Sequence, residues 1–104
     1  MSVLLEFAMF PTDKGESVSD YVSRILKAID GSGLSYQLTP MGTIVEADEL
    51  RQVLALVEEA YRQLEPDCSR VYASLKLDIR KEEGGRLKRK VESVEQKVGK
   101  KLST

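Results

Sequence analysis

The sequence predicts an α+β fold: a ferredoxin-like βαββαβ sandwich, with an antiparallel four-stranded sheet, two helices on one face and an additional C-terminal helix. Three observations carry this. Segments alternating every two residues and segments with helical spacing follow one another as β-α-β-β-α-β, and then one more helix. The two middle strands are separated only by Pro40-Met41-Gly42, a turn signal that joins them as a hairpin. The chain of 104 residues is long enough for one domain, residues 1–104, with its own core.

The elements follow in order. Val3 to Phe10 reads as a strand with Val3, Leu5, Phe7 and Met9 on one side. Leu4, Ala8 and Phe10 make the other side apolar too, interrupted by Glu6, so cover is expected on both faces. Pro11 ends it. Ser17 and Asp20 resemble a capping box, and Val18, Tyr21, Val22, Ile25, Leu26 and Ile29 mark one side of a helix that Gly31-Ser32-Gly33 stops. Leu34 to Thr39 and Gly42 to Ala47 are the hairpin strands. Asp48 is the expected cap of a second helix, with Leu50, Val53, Leu54, Val57, Tyr61 and Leu64 on one side. Arg70 to Lys81 is the clearest strand. Val71, Ala73, Leu75, Leu77 and Ile79 are expected under the helices, and Tyr72, Ser74, Lys76, Asp78 and Arg80 on the open face. Gly84-Gly85 breaks it from a last helix striped by Leu87, Val91, Val94, Val98 and Leu102.

Composition removes whole classes of chemistry. No histidine is present, which excludes Ser-His catalysis, histidine-ligated zinc and imidazole acid–base work. One cysteine, Cys68, allows neither an internal disulfide nor a four-cysteine metal site, and no metal site is expected. Val3 to Leu5, followed by Glu6, is too short for a signal peptide's apolar segment, and no run is long enough to cross a bilayer. A cytoplasmic protein without a membrane partner is expected. Charge is uneven: residues 1–79 carry seven basic and thirteen acidic side chains, residues 80–104 nine and four. The basic end is read as the wet side of the last helix, where Arg86, Lys88, Arg89 and Lys90 can pair with Glu82, Glu83, Glu92 and Glu95. No nucleic-acid partner is expected.

Glu6 should point outward, since burying it unpaired under two helices would cost several kcal/mol. Leu4, Ala8 and Phe10 then lie exposed beside it, more apolar surface than a monomer readily shows, and self-association is expected. The strand order of such a sheet (fourth, first, third, second) gathers Glu6, Lys76 and Glu46 on the open face, with Tyr72 and Tyr36 as stacking surfaces. That cluster serves an organic cation or an N–H-bearing heterocycle in a subunit crevice. It serves equally as an interfacial ion-pair network with no ligand.

Met41-Gly42-Thr43-Ile44-Val45-Glu46 and Ser74-Leu75-Lys76-Leu77-Asp78-Ile79-Arg80 resemble the hallmarks of the small thiamine-binding proteins of the YkoF-like superfamily. Pro11, Ser17-Val18-Ser19-Asp20-Tyr21-Val22 and Val91-Glu92-Ser93-Val94 are similar in register. The resemblance implies a ferredoxin-like protomer, a homotetramer built from dimers with joined sheets, and non-catalytic binding of thiamine or its hydroxymethylpyrimidine part, with no cofactor. Carried onto this chain, it implies Thr43, Glu46, Lys76, Asp78 and Arg80 as ligand-facing candidates, to which the open face adds Glu6 and Tyr72; Gly42 is assigned to backbone geometry. Thr43 and Glu46 rank first. A carboxylate accepts from the aminopyrimidine or offsets the thiazolium, and a hydroxyl donates to a ring nitrogen. No glycine-rich phosphate cradle is present, which favours the unphosphorylated vitamin.

Rival readings are weaker. An acylphosphatase needs an arginine after the first strand, where residues 11–16 hold only Lys14, so no catalytic residue is assigned. An RNA-recognition domain needs aromatics in the third strand, which has none. An oligomeric small-ligand-sensing module without thiamine specificity remains as the alternative.

Overall fold

The computed structural model describes residues 1–82 and 85–104. Its elements are β1 (Ser2–Pro11), α1 (Ser19–Gly31), β2 (Ser35–Thr39), β3 (Gly42–Ala47), α2 (Leu50–Arg62), β4 (Val71–Arg80) and α3 (Arg86–Val98). The four strands form one antiparallel sheet in the order β2-β3-β1-β4, the ferredoxin-like arrangement that the element order predicts. Glu83 and Gly84, expected in a surface ion pair and in the break before α3, lie outside the described residues.

The core is one layer between α1, α2 and the two central strands. Val3, Leu5, Phe7 and Met9 of β1 and Val45 and Ala47 of β3 meet Ile25 and Ile29 of α1 and Val53, Leu56 and Ala60 of α2. Each buried aliphatic chain contributes roughly 1.5–3 kcal/mol over its exposed state. Gly42 is required by close approach: a Cβ there would stand 2.9 Å from the carbonyl oxygen of Phe7 on the neighbouring strand.

Four expectations are corrected. The Ser17–Asp20 box does not form; Val18 is the N-cap of α1, and its carbonyl accepts from Tyr21 and Val22. The cap of α2 is Glu49, one residue beyond Asp48, and its amide donates to Gln52 Oε1 at 2.9 Å. The aliphatic row of β4 is not under the helices. Leu75, Leu77 and Ile79 are 42%, 43% and 48% exposed, and Val71, at the start of the strand, is the residue that packs against the core. The reason is sheet order. β4 is the outer strand beside β1, and the helices lie over β1 and β3. Finally, Arg86 is buried rather than on the wet side of α3.

Candidate functional site

Because β1 and β3 alternate, each delivers side chains to both faces of the sheet. Val45 and Thr43 are buried on the helix side, and Ile44 and Glu46 turn to the other. Thr43 and Glu46, three apart on one strand, therefore lie on opposite faces, and a single ligand within one protomer cannot touch both side chains. Two regions result.

On the helix side, a cavity of about 310 Å³ opens between the start of α1, the end of β1 and the β2–β3 turn. Phe7, Met9, Val18, Val22, Ile25 and Leu26 make its apolar walls, and Thr39 and Thr43 contribute hydroxyl-bearing side chains. Thr43 is 3% exposed. Thr39 is committed to the turn: its hydroxyl donates to the Gly42 carbonyl at 2.8 Å and accepts from the amides of Met41 and Gly42. At the mouth Leu38 and Met41 are 58% and 89% exposed, which is costly for large apolar side chains facing water. An apolar slot with a few hydroxyls suits a flat, neutral heterocycle. A cation inside it would lose hydration without an opposing carboxylate, so charge belongs at the mouth.

On the open face, Glu6 points outward as expected and stands opposite Lys76, with 4.0 Å between charges; both are exposed, so the pair is weak. Tyr72 stacks at a tilt on Phe10, with 5.8 Å between ring centres. Arg80 lies 3.8 Å from Glu82. Glu46 and Asp78 are engaged by α3. The Glu46 carboxylate accepts from the backbone amides of Arg86 (2.9 Å) and Leu87 (3.4 Å), so it caps the helix from a neighbouring strand. Arg86 Nε donates to Ser2 Oγ, Nη2 to the carbonyls of Ser2 and Asp78, and Nη1 to Asp78 Oδ2 at 2.8 Å. Lys90 donates to the same Oδ2 at 3.1 Å. Its hydrogen bond and the Arg86 charge hold the Asp78 carboxyl below the usual range, against a desolvation that pushes it up.

The seven expected residues are thus divided: Thr43 in the cavity, and Glu6, Glu46, Tyr72, Lys76, Asp78 and Arg80 on the open face. The cavity walls and the Ser2–Arg86 lock escaped sequence reasoning. Arg86 carries no local signal, because only the crossing of α3 over the sheet brings it to Ser2; for the cavity, Leu38 and Met41 flanking a turn were the available hint. Cys68 is 8% exposed, and desolvation pushes its thiol up, so it is a packing residue with little thiolate character. Among the described residues no cluster of acidic or cysteine side chains could hold a metal, and no helix is long and apolar enough to cross a membrane.

Comparison with known proteins extends these observations. Residues 5–95 match the model of a family described as thiamine-binding protein. UPF0045 protein MJ1052 of Methanocaldococcus jannaschii is 34% identical over 92 residues, covering 88% of this chain and 91% of its own. UPF0045 protein Mb1933 of Mycobacterium bovis is 34% identical over 95 residues, covering 91% and 93%. The crystal structure of the Methanocaldococcus protein superposes with a TM-score of 0.81 at 32% identity, over 89% of this chain and 95% of that one.

Proposed function

The chain belongs to the thiamine-binding protein family, and on that premise we propose that it binds thiamine, or its hydroxymethylpyrimidine moiety, without catalysis, in a pocket that a second subunit completes. The observation that carries this reading is the family match across residues 5–95. The cavity beneath the β2–β3 turn gives the ligand a place. Its apolar walls take the pyrimidine ring, the Thr43 hydroxyl bonds a ring nitrogen or the exocyclic amine, and the thiazolium stays at the mouth in contact with water. The exposed Leu38 and Met41 at that mouth favour closure by another copy, and a homotetramer acting in the cytoplasm is the assembly we assign. In this reading Glu6, Tyr72, Lys76 and Arg80 serve contacts between copies, while Glu46 and Asp78 hold α3 in place.

Isothermal titration calorimetry tests the reading. Thiamine and hydroxymethylpyrimidine should both give saturable heats and raise the melting temperature. Thr43→Val should weaken both by roughly fivefold, the worth of one neutral hydrogen bond of about 1 kcal/mol. Absence of heat with either compound at millimolar concentration refutes it. Equal binding of unrelated heterocycles would establish the general ligand-sensing module instead.

A further inference from the structure

The mouth of the cavity is framed by a turn that is mismatched to its strands. Only Pro40 and Met41 join β2 to β3, between the paired residues Thr39 and Gly42. Hairpin loops of this length favour primed turns, whose twist follows that of the strands and which need a positive φ at the first central residue. The ring of Pro40 holds its φ at about −65°, so no primed turn can form there. Met41 is not in the left-handed region either. An unprimed turn splays the strands it joins, and something must hold it closed. We infer that Thr39 is the positioning residue of the mouth: its hydroxyl latches this turn and so sets Leu38 and Met41 at the rim where a heterocycle enters. The inference rests on the binding reading and adds to it the group that shapes the entrance.

Three bonds at one oxygen make the latch. Thr39 Oγ1 donates to the Gly42 carbonyl at 2.8 Å and accepts from the amides of Met41 at 3.3 Å and Gly42 at 3.2 Å. A hydroxyl has one proton to give and two lone pairs to receive, and all three are spent on the turn. Nothing is left for a ligand. Thr39 therefore acts through its neighbours, and Thr43 is the hydroxyl that a bound ring meets. The base of the turn has no room to shift toward β1, because a Cβ on Gly42 would already stand 2.9 Å from the Phe7 carbonyl oxygen. The tip has that room. Leu38, Pro40 and Met41 all line the cavity, so a tip released from the latch carries part of the wall away with it.

Calorimetric titration of the full chain with hydroxymethylpyrimidine tests the latch. Thr39→Val keeps the branched shape without the hydroxyl, and should bind about tenfold more weakly with circular dichroism unchanged. Thr39→Ser restores the hydroxyl and should stay within about twofold of wild type. Pro40→Gly leaves Thr39 in place but admits the primed turn, and should weaken binding about as much as Thr39→Val. Amide exchange reads the turn without any ligand. The Met41 amide should exchange about fivefold faster in Thr39→Val and no faster in Thr39→Ser. Wild-type affinity in Thr39→Val or Pro40→Gly overturns the inference. So does a Thr39→Ser variant as weak as Thr39→Val, or Met41 exchange unmoved by loss of the hydroxyl. A wild-type chain that binds nothing, while its Met41 amide responds as expected, counts against the binding reading alone.

Discussion

β1 and β4 are neighbours of equal length, and each points an aliphatic row at the helix side of the sheet, yet the rows have opposite fates. Val3 and Leu5 of β1 are fully buried, while Leu77 and Ile79, which pair with Leu5 and Val3, are nearly half exposed. β4 has the cleaner alternation and the poorer cover. A strand's own pattern specifies which side is apolar; its rank in the sheet determines whether anything lies over that side.

The comparison can be broken most forcefully at Leu5. Leu5→Ala should destabilise the protein by about 2–5 kcal/mol in chemical denaturation, because the cavity it leaves is closed on every side. A loss below about 1 kcal/mol would mean that the two rows are equivalent. Next is Arg86, 3% exposed, with two backbone carbonyls, a hydroxyl and a carboxylate as acceptors. Arg86→Met removes these bonds and should cost about 1–3 kcal/mol. Amide exchange in α3 should accelerate while the β1 amides stay protected, and unchanged exchange in α3 would show that the Arg86 side chain does not hold the helix.

Leu77→Ala sharpens the other side of the comparison. Because its side chain is already 43% exposed, the variant should lose less than about 1 kcal/mol in the same chemical denaturation. A loss as large as that of Leu5→Ala would show that the two rows are equally sealed. The smallest effect is a pH dependence at the start of β4. Asp13 accepts from the Ser69 hydroxyl at 2.7 Å and from its amide at 2.8 Å, and these bonds lower its pKa from 3.8 to about 2. The stabilisation is present above pH 3.8 and disappears as the pH falls through about 2, since the unfolded chain takes up its proton first. Asp13→Asn should flatten that part of the acid-unfolding profile; an identical profile would show that the contact adds nothing.

Much of the fold was legible in the residues. The bounds of β3 were read directly, and the turn at Pro40-Met41-Gly42 followed from its chemistry. Helix starts were harder: Val18 and Glu49 replace the expected Ser17 and Asp48, because a cap depends on backbone geometry that several adjacent polar residues can satisfy. The outward direction of Glu6 was legible from the cost of burying its charge. The separation of Thr43 from Glu46 was legible too, since residues three apart on a strand point to opposite sides, but the resemblance placed them together. Glu46 was not recognisable as a helix cap, because the amides it receives lie some forty positions away in the chain.

What the sequence by itself determined is local and periodic: where strands and helices run, which side of each is apolar, and that imidazole and paired-thiol chemistry are absent. These follow from covalent geometry and composition, which every short segment carries within it. Only the tertiary structure decided which apolar row is sealed, that Arg86 and not a surface lysine locks α3, and that a cavity opens beneath the β2–β3 turn. Those outcomes depend on where the helices lie across the sheet and on contacts between residues as far apart as Ser2 and Arg86, and no periodicity within a single segment records them.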